Sequence, residues 1–266
     1  MQRPASGAMH DRHTLSWQLN SRWFVLIGGA RAAIMQVADP KVAAGVAQFS
    51  AYRTDPLGRL ERTMDAMLTI GFGTPERREQ VLTELREVHG RVRGRTSGGA
   101  PYSALDPQLM YWVLATLVDT VMVVERRYIG RMRRVDRERY VDESRAVADA
   151  FGIPERFVPE DLAAFREYMA ERVAAIEPDV DSIDIARSLL QPGLPVVPDL
   201  AFAPLDWITA ELLPTTMRHR LGLSDLNTAQ LTAVRSAQAM SRLTLPRLPQ
   251  QLTVSPFAQR ALAGAR

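Results

Sequence analysis

The sequence predicts an all-α fold, built as a single helical domain. Apolar residues recur three and four positions apart along most of the 266 residues, which is the spacing of one helix face. Four Asp-Pro or Thr-Pro pairs interrupt this pattern, and each has the form of a helix start. No run of alternating apolar and polar residues indicates a strand. With 46% hydrophobic residues, the chain can fill one large core.

The N-terminal part begins with residues 1–13, which show no apolar periodicity and are expected to form a mobile tail. Residues 17–36 form a long apolar helical segment, interrupted by Gly28 and Gly29, where the chain kinks or packs closely against another helix. We expect the helical domain to span residues 14–245. Residues 246–266 contain repeated prolines and form a C-terminal extension without a predicted structure.

Each cap-and-proline pair predicts the start of one helix. The pairs begin at Asp39, Asp55, Thr74 and Asp106. The helix after Asp55 carries a stripe of apolar residues, which are Leu57, Leu60, Met64, Met67 and Leu68. The stripe of the next helix comprises Val81, Leu82, Leu85, Val88 and Val92. The helix after Asp106 is the most apolar one, so we expect it at the centre of the core.

The remaining segments are predicted from periodicity and breaker residues. Residues 95–104 are rich in glycine and are expected to form a surface loop. Residues 133–151 and 159–176 have the pattern of exposed amphipathic helices, and residues 205–213 and 228–243 are the last helical candidates. Residues 191–207 are rich in proline, so we expect no regular helix there.

Composition excludes several classes of function. The chain has no cysteine, which excludes disulfides, iron–sulfur clusters and any thiolate ligand to a metal or haem. Its 33 basic residues are set against 30 acidic ones that alternate with them, so no nucleic-acid partner is expected. The two most apolar segments are interrupted by Arg31 and Asp119, and the N-terminus lacks a secretory signal. We therefore expect a cytoplasmic protein without a membrane span.

The candidate functional residues lie between Arg31 and Gly94. Arg59, Arg62 and Thr63 share one side of a helix, where they form either a solvated face with ion pairs or a group of donors in a site. His89 follows Leu85 by four residues, so its imidazole falls inside an apolar stripe. Such a histidine is either a core residue satisfied by its neighbours or an axial ligand to haem iron. Helical spacing alone leaves both interpretations open.

Two further residues are candidates for a buried contact. Asp119 lies in the most apolar helix, where a carboxylate requires a partner. Arg31 is a plausible ion-pair partner of Asp119. It could instead bind a haem propionate, but we favour the ion pair with Asp119. His10, His13 and His219 lie in charged or tail segments and are expected to be solvated.

Four blocks of the sequence, in the same order, resemble the conserved core of the latex-clearing protein (rubber oxygenase) and MpaB-type oxygenase family. They are GGARAAIMQVADPKVAAGVAQFSAYRTDPLGRLERT, FGTPERREQVLTELREVHGRVRG, PYSALDPQLMYWVLATLVDT and RERYVDESRAVADAFGIP, followed by a weaker match in TAELLPTTMRHRLGL. The resemblance implies a helical fold with a globin-like core around haem b. It also implies oxidative cleavage of a carbon–carbon double bond in a hydrophobic, isoprenoid-like substrate by dioxygen.

The resemblance assigns roles to individual positions. The family's Arg-x-x-x-Thr motif falls on Arg59 and Thr63, and its proximal histidine, the iron ligand, falls on His89. The resemblance thus implies Arg59, Arg62 and Thr63 as catalytic residues, and His89, Arg31, Arg59 and Thr63 as cofactor-binding residues. Rubber-cleaving members place a lysine where this chain has Arg62, and an arginine cannot supply a distal amine ligand.

Other positions also depart from the family pattern. Relatives commonly have histidines where this chain has Asp39, Phe49 and Leu114. These departures leave the substrate open. Two alternatives to an oxygenase remain: a haem protein that senses or carries without turnover, and a haem-free helical binding protein of the same fold.

Overall fold

The structure is a computed structural model. It describes residues 13–50, 52, 55–130, 132–190, 203–256 and 258–259, without the side chains of residues 56, 57, 59, 60, 250 and 251. The predicted tail, apart from its last residue, and most of the predicted proline-rich segment lie outside the described residues.

The described chain is almost entirely helical, as the periodicity predicts. The first half contains α1 (Leu15–Asn20), a 3-10 helix (Trp23–Gly28), α2 (Gly29–Val37), α3 (Pro40–Phe49), α4 (Pro56–Phe72), α5 (Pro75–Arg91), β1 (Arg93–Arg95), β2 (Pro101–Ser103) and α6 (Pro107–Val124). The second half contains a π-helical turn (Glu125–Ile129), α7 (Arg134–Ala150), a 3-10 turn (Glu155–Phe157), α8 (Leu162–Ala175), α9 (Val180–Leu190), α10 (Ala203–Leu212), α11 (Thr215–Arg220), α12 (Thr228–Thr244), a 3-10 turn (Leu245–Arg247) and α13 (Gln250–Thr253).

All four predicted helix starts are confirmed. The side chains of Asp39, Asp55, Thr74 and Asp106 accept hydrogen bonds from backbone N–H groups of the first turns of α3, α4, α5 and α6. The donor–acceptor distances lie between 2.9 and 3.3 Å. Each cap satisfies an N–H group that the helix itself cannot satisfy.

Three predictions from the sequence are wrong in detail. The glycine-rich loop is partly a hairpin, in which β1 pairs antiparallel with β2. Three residues in each strand are too few to show an alternating pattern. Val88 is 53% exposed and so lies off the buried stripe of α5. Helix α10 begins at Ala203, inside the segment predicted to be non-helical, because Pro204 stands in its first turn, where a proline is tolerated.

Helix α6 lies at the centre of the core, as predicted. Trp112 and Ala115 are fully buried, and residues of α2, α7, α8 and α11 complete the same apolar cluster. Within the described residues, one helical stretch, Pro107–Ile129, is long and apolar enough to cross a membrane, and 61% of its most apolar window is buried inside the protein.

The described part of the C-terminal segment packs back on the start of the domain. Val254 forms an isolated bridge with Arg22, and the N–H of Ser255 donates to the carbonyl of Ser21 at 2.7 Å. Ala258 is buried beside Trp17. The sequence offers no periodic signal for this contact.

Gly28, the last residue of the 3-10 helix that precedes α2, lies close against α6. A methyl group added at Gly28 would lie 2.4 Å from Cγ2 of Thr120 and 2.8 Å from Cγ2 of Val124. The sequence prediction that this glycine allows close helix packing is therefore confirmed. One turn further on, Arg31 is 2% exposed and joins the same two helices.

Arg31 and Asp119 form an ion pair, as the sequence suggests, in which the Arg31 side chain is buried and that of Asp119 is 23% exposed. The Arg31 Nη2 lies 2.6 Å from Oδ2 of Asp119, Nη1 donates to Oγ1 of Thr120, and Nε donates to the carbonyl of Leu212 in α10. Each of the three guanidinium nitrogens donates to an acceptor. The ion pair therefore links α2, α6 and α10 without leaving an Arg31 nitrogen unsatisfied.

Substituting Gly28 by alanine should destabilise the fold. The added methyl forces Thr120 or Val124 to move, and overpacking of this kind costs about 1–3 kcal/mol. Gly29→Ala is the matched control, because no atom lies within 4 Å of its added methyl. Chemical denaturation of both variants checks the prediction. An unfolding free energy equal for Gly28→Ala and the native chain would contradict it.

Candidate functional site

Helices α4 and α5 form an antiparallel hairpin that carries most of the predicted site residues. The two helices are joined by Gly73 and Thr74 alone. Between them lies an apolar cluster centred on Ile70, Val81 and Leu82, with Leu85 packed at its edge. The predicted apolar stripe of α5 therefore faces α4 over these positions.

His89 continues this stripe into the last turn of α5. Its side chain is half-buried, and among the described residues its imidazole has no hydrogen-bonding partner. Burial lowers the pKa of His89 from its ordinary value of 6.5, because the charged form loses its hydration. The imidazole is therefore neutral at pH 7 and has a lone pair available for a metal ion.

Counted from the turn, His89 and Gly58 are equally far along their helices, so Arg62 and Thr63 are offset from His89 by less than about 8 Å along the hairpin axis. The apolar packing between the described side chains of the two helices extends only to Ala66 on α4 and Leu85 on α5. The side chains of Arg62 and Thr63 are exposed, and Arg62 Nη1 lies 3.1 Å from Oδ2 of Asp55. The side chain of Arg59 lies outside the described residues.

Arg31 belongs to a different part of the molecule. Its partner Asp119 lies twelve residues along α6 from Pro107, a distance of about 18 Å by helix rise. The C-terminal end of α5 meets the chain at the start of α6, where a methyl on Gly90 would lie 4.0 Å from Leu105. The structure therefore does not bring Arg31 to His89.

The three positions where the family resemblance led us to expect histidines hold other residues with contacts of their own. Asp39 caps α3 and pairs with Arg172 at 2.6 Å, and the Arg172 guanidinium lies 5.2 Å from the centre of the Trp112 ring. Leu114 is part of the main core cluster, whereas Phe49 is 51% exposed. Asp39 and Leu114 thus stabilise the fold.

Two of the other histidines can be placed. His13 is exposed, and His219 is 55% exposed in its side chain, with Nε2 3.1 Å from Oδ1 of Asp225. Both positions agree with the predicted solvated character. His10 lies outside the described residues.

The residues present fit a haem better than a metal ion held by several side chains. In the described ranges, no three His, Cys, Asp or Glu residues lie close enough to share a metal ion. Haem iron needs only one axial protein ligand, and a neutral imidazole without a hydrogen-bonding partner could serve as one. Arg62, on the neighbouring helix, could offer positive charge to an anionic group of such a cofactor.

Sequence reasoning missed a group of arginines after α6. Arg126 and Arg127 line an open cleft of about 440 Å³ together with Arg218. The sequence shows only two adjacent arginines at the end of the most apolar helix. The residues that complete the cleft come from α8, α10 and α11. Spacing within one helix cannot reveal such a group.

Comparison with known proteins supports the resemblance seen in the sequence. Residues 17–243 match the family described as ER-bound oxygenase mpaB/B'/Rubber oxygenase, catalytic domain. Two curated relatives, from Mycobacterium bovis and Mycobacterium tuberculosis and both described as uncharacterized, are 25% identical to this chain over 155 residues. The aligned region covers 56% of this chain and 60% of each relative.

No solved structure matches the chain significantly. The family match covers most of the chain and includes the α4–α5 hairpin that carries His89. The chain therefore belongs to the mpaB/rubber oxygenase catalytic-domain family, and its domain is of the oxygenase type.

Proposed function

We propose that this domain is a haem b-dependent oxygenase that acts on a hydrophobic, isoprenoid-like substrate, with His89 as the axial iron ligand. The observation that carries the proposal is the half-buried imidazole of His89, which lacks a partner among the described residues. No ring nitrogen of His89 is among the fully buried atoms without a partner, so a ligand can reach the ring. Membership of an oxygenase family supplies the reaction class.

His89 would bind the cofactor through its neutral ring nitrogen. Haem b, when bound, supplies the redox-active iron with which oxygenases activate dioxygen. In the last turn of α5, partial burial disfavours the charged form of the His89 ring and lowers its pKa.

The arginines and the threonine of α4 would provide hydrogen-bond donors and positive charge. Arg62 is held near the helix start by Asp55, and its guanidinium cannot act as a base or as an amine ligand. Arg59 and Arg62 would donate hydrogen bonds to anionic groups of the cofactor or to the reacting oxygen atoms. The Thr63 hydroxyl would donate a hydrogen bond to the same groups.

The hydrophobic substrate class is supported by the apolar surface of the same helix. Met64 and Met67 are half-buried on α4, between the exposed arginine–threonine group and the apolar cluster of the hairpin. Methionine side chains adapt to flexible apolar ligands. An isoprenoid chain would be bound by such contacts.

Haem titration tests the cofactor assignment. The purified native chain should bind one haem and develop a Soret band, and His89→Ala should weaken haem binding at least about tenfold, because the iron loses its axial ligand. His219→Ala is the matched control, since His219 is exposed and paired with Asp225. Unchanged haem affinity in His89→Ala would exclude His89 as the ligand.

The pH dependence of haem binding tests the lowered pKa of His89. A proton competes with iron for the ring nitrogen only below the pKa of the histidine. Haem affinity should therefore fall with decreasing pH at a midpoint below 6.5. Absorbance titrations at a series of pH values measure the effect, and a midpoint at or above 6.5 would contradict it.

Oxygen consumption separates the oxygenase from a haem carrier. With squalene as a model isoprenoid, the haem-loaded native protein should consume dioxygen and release carbonyl products, and haem-treated His89→Ala should not. An oxygen electrode and carbonyl-specific mass spectrometry provide the two measurements. Haem binding without oxygen consumption on squalene or other isoprenoids would favour the carrier alternative.

A further inference from the structure

An exposed apolar surface lies where the C-terminal part of the chain meets the first 3-10 helix. Twelve large hydrophobic side chains are exposed among the described residues, and half of them lie in two short segments, residues 23–26 and 240–252. Exposed apolar residues are ordinarily scattered singly, so this concentration indicates an interaction surface. We call these six residues the C-terminal patch: Trp23, Leu26, Met240, Leu243, Leu248 and Leu252.

Several contacts join the two segments. The Trp23 Nε1 donates to the carbonyl of Leu252 at 3.2 Å. Phe24 is buried in a small apolar cluster, and Leu245 packs against the same cluster. The bridge between Arg22 and Val254 adds a backbone contact beside them. The exposed side chains that flank these contacts therefore lie on adjoining elements of one surface.

Helix α12 contributes an uncovered apolar face to this surface. Val234 and Gln238 are its buried residues. Met240 and Leu243 lie on the opposite side of the helix and are 61% and 58% exposed. The solvent face of a surface helix normally carries charged and polar residues. Two large apolar side chains at the end of this face therefore favour contact with an apolar environment.

The charge of this part of the chain has a single sign. After Asp225 the sequence contains no Asp or Glu, whereas the other 28 of the 33 basic residues share the first 225 positions with all 30 acidic residues. In the described ranges no carboxylate pairs with an arginine of α12 or of the turn that follows it. The five arginines after Asp225 are Arg235, Arg242, Arg247, Arg260 and Arg266.

The carboxylates of neighbouring elements do not compensate this charge. Glu125 pairs with Arg22 at 3.3 Å, and Glu211 pairs with Arg127 at 3.2 Å. Both carboxylate side chains are buried, and Asp206 in the first turn of α10 is half-buried. The surface is therefore apolar and basic.

This combination favours an anionic membrane over other partners. At a bilayer surface, leucine and methionine side chains enter the boundary of the acyl chains, tryptophan lies among the headgroups, and arginines bind the lipid phosphates. A second copy of the chain would bring arginines close to arginines, which is repulsive. A nucleic acid would leave the apolar side chains in water.

We propose that the C-terminal patch docks on the surface of an anionic lipid bilayer. Its apolar side chains would lie at the boundary between headgroups and acyl chains, with Arg235, Arg242 and Arg247 on the lipid phosphates. The contact is peripheral and requires no membrane-spanning helix. It involves no residue of the proposed haem site and does not require haem.

Vesicle co-sedimentation of the full chain tests the lipid surface. The native chain should bind vesicles of mixed phosphatidylcholine and phosphatidylglycerol at least about tenfold more tightly than vesicles of phosphatidylcholine alone, because the arginines attract anionic lipids. Added salt should weaken binding, since it screens exposed charges. Equal binding to both kinds of vesicle, or no binding to the anionic ones, would overturn the proposal.

A pair of double variants tests the apolar part of the patch. Met240→Gln combined with Leu243→Gln should weaken binding to the anionic vesicles at least about tenfold, because the bilayer buries both side chains. The matched control combines Val135→Gln with Val180→Gln, since these valines are 55% and 67% exposed and lie outside the patch. The control should bind as the native chain does.

A second pair tests the arginines. Arg235→Gln combined with Arg247→Gln should weaken binding at least about tenfold. Arg93→Gln combined with Arg166→Gln removes the same charge at exposed positions of β1 and α8 and should leave binding unchanged. Native affinity in either patch variant would overturn the proposal. Circular dichroism of each variant checks that it is folded.

Fluorescence places the bilayer at Trp23. This side chain is 38% exposed, whereas Trp17 and Trp112 are buried and Trp207 is half-buried. Tryptophan emission should shift to shorter wavelength on vesicle binding, because the Trp23 ring leaves water. Trp23→Phe should still bind the vesicles but lose most of the shift. An undiminished shift in this variant would place the bilayer elsewhere and overturn the proposal.

Two further measurements identify other occupants. Sedimentation velocity would assign the patch to a second copy of the chain if the native protein forms a dimer that the Met240 and Leu243 variant dissociates. Binding to duplex DNA tighter than to the anionic vesicles would assign it to a nucleic acid. Either result overturns the proposal. His89→Ala should bind the vesicles with native affinity, so loss of haem binding and loss of vesicle binding are separate results.

Discussion

The contact between α2 and α6 is the constraint on which the rest of the structure depends. Gly28, just before α2, lies against Thr120 and Val124 of α6, and one turn later Arg31 of α2 donates to Asp119, Thr120 and the end of α10. Close packing requires the glycine, and the buried guanidinium is tolerated only because all three nitrogens are satisfied. With α6 fixed in this way, the other helices pack around a central, almost fully buried element.

The sequence predicts local structure well because caps and periodicity are local signals. The four cap residues are confirmed, and so are the buried positions Val81 and Leu82 of the α5 stripe. Val88 is exposed, because fewer apolar positions of α5 are covered by other helices than the sequence contains. The C-terminal return to Ser21 was missed because no spacing rule encodes a contact between distant segments. Helical spacing puts His89 on the inward side of α5, and the structure shows this side chain half-buried. Spacing could not show that Arg31 lies far from His89, because their separation depends on how α2, α5 and α6 pack.

The core requires buried residues without free polar groups, whereas the proposed haem site requires an accessible ligand atom. Asp39 caps a helix and forms an ion pair, and Leu114 lies in the core, so both residues stabilise the fold without offering a ligand. His89 lies at the edge of the α4–α5 hairpin. Its burial lowers the pKa of the imidazole, and because the burial is incomplete, a ring nitrogen remains accessible. A ligand position at the rim of the core allows a cofactor to bind without disturbing the α2–α6 contact.

A crystal structure of the protein grown with haem b would test the role of His89 most directly. We predict that the iron is bonded to a ring nitrogen of His89 and that the macrocycle lies against the α4–α5 hairpin, with Arg59, Arg62 and Thr63 at its edge or face. Iron bonded to any other residue, or haem bound in the arginine-lined cleft beyond α6, would contradict the assignment of His89.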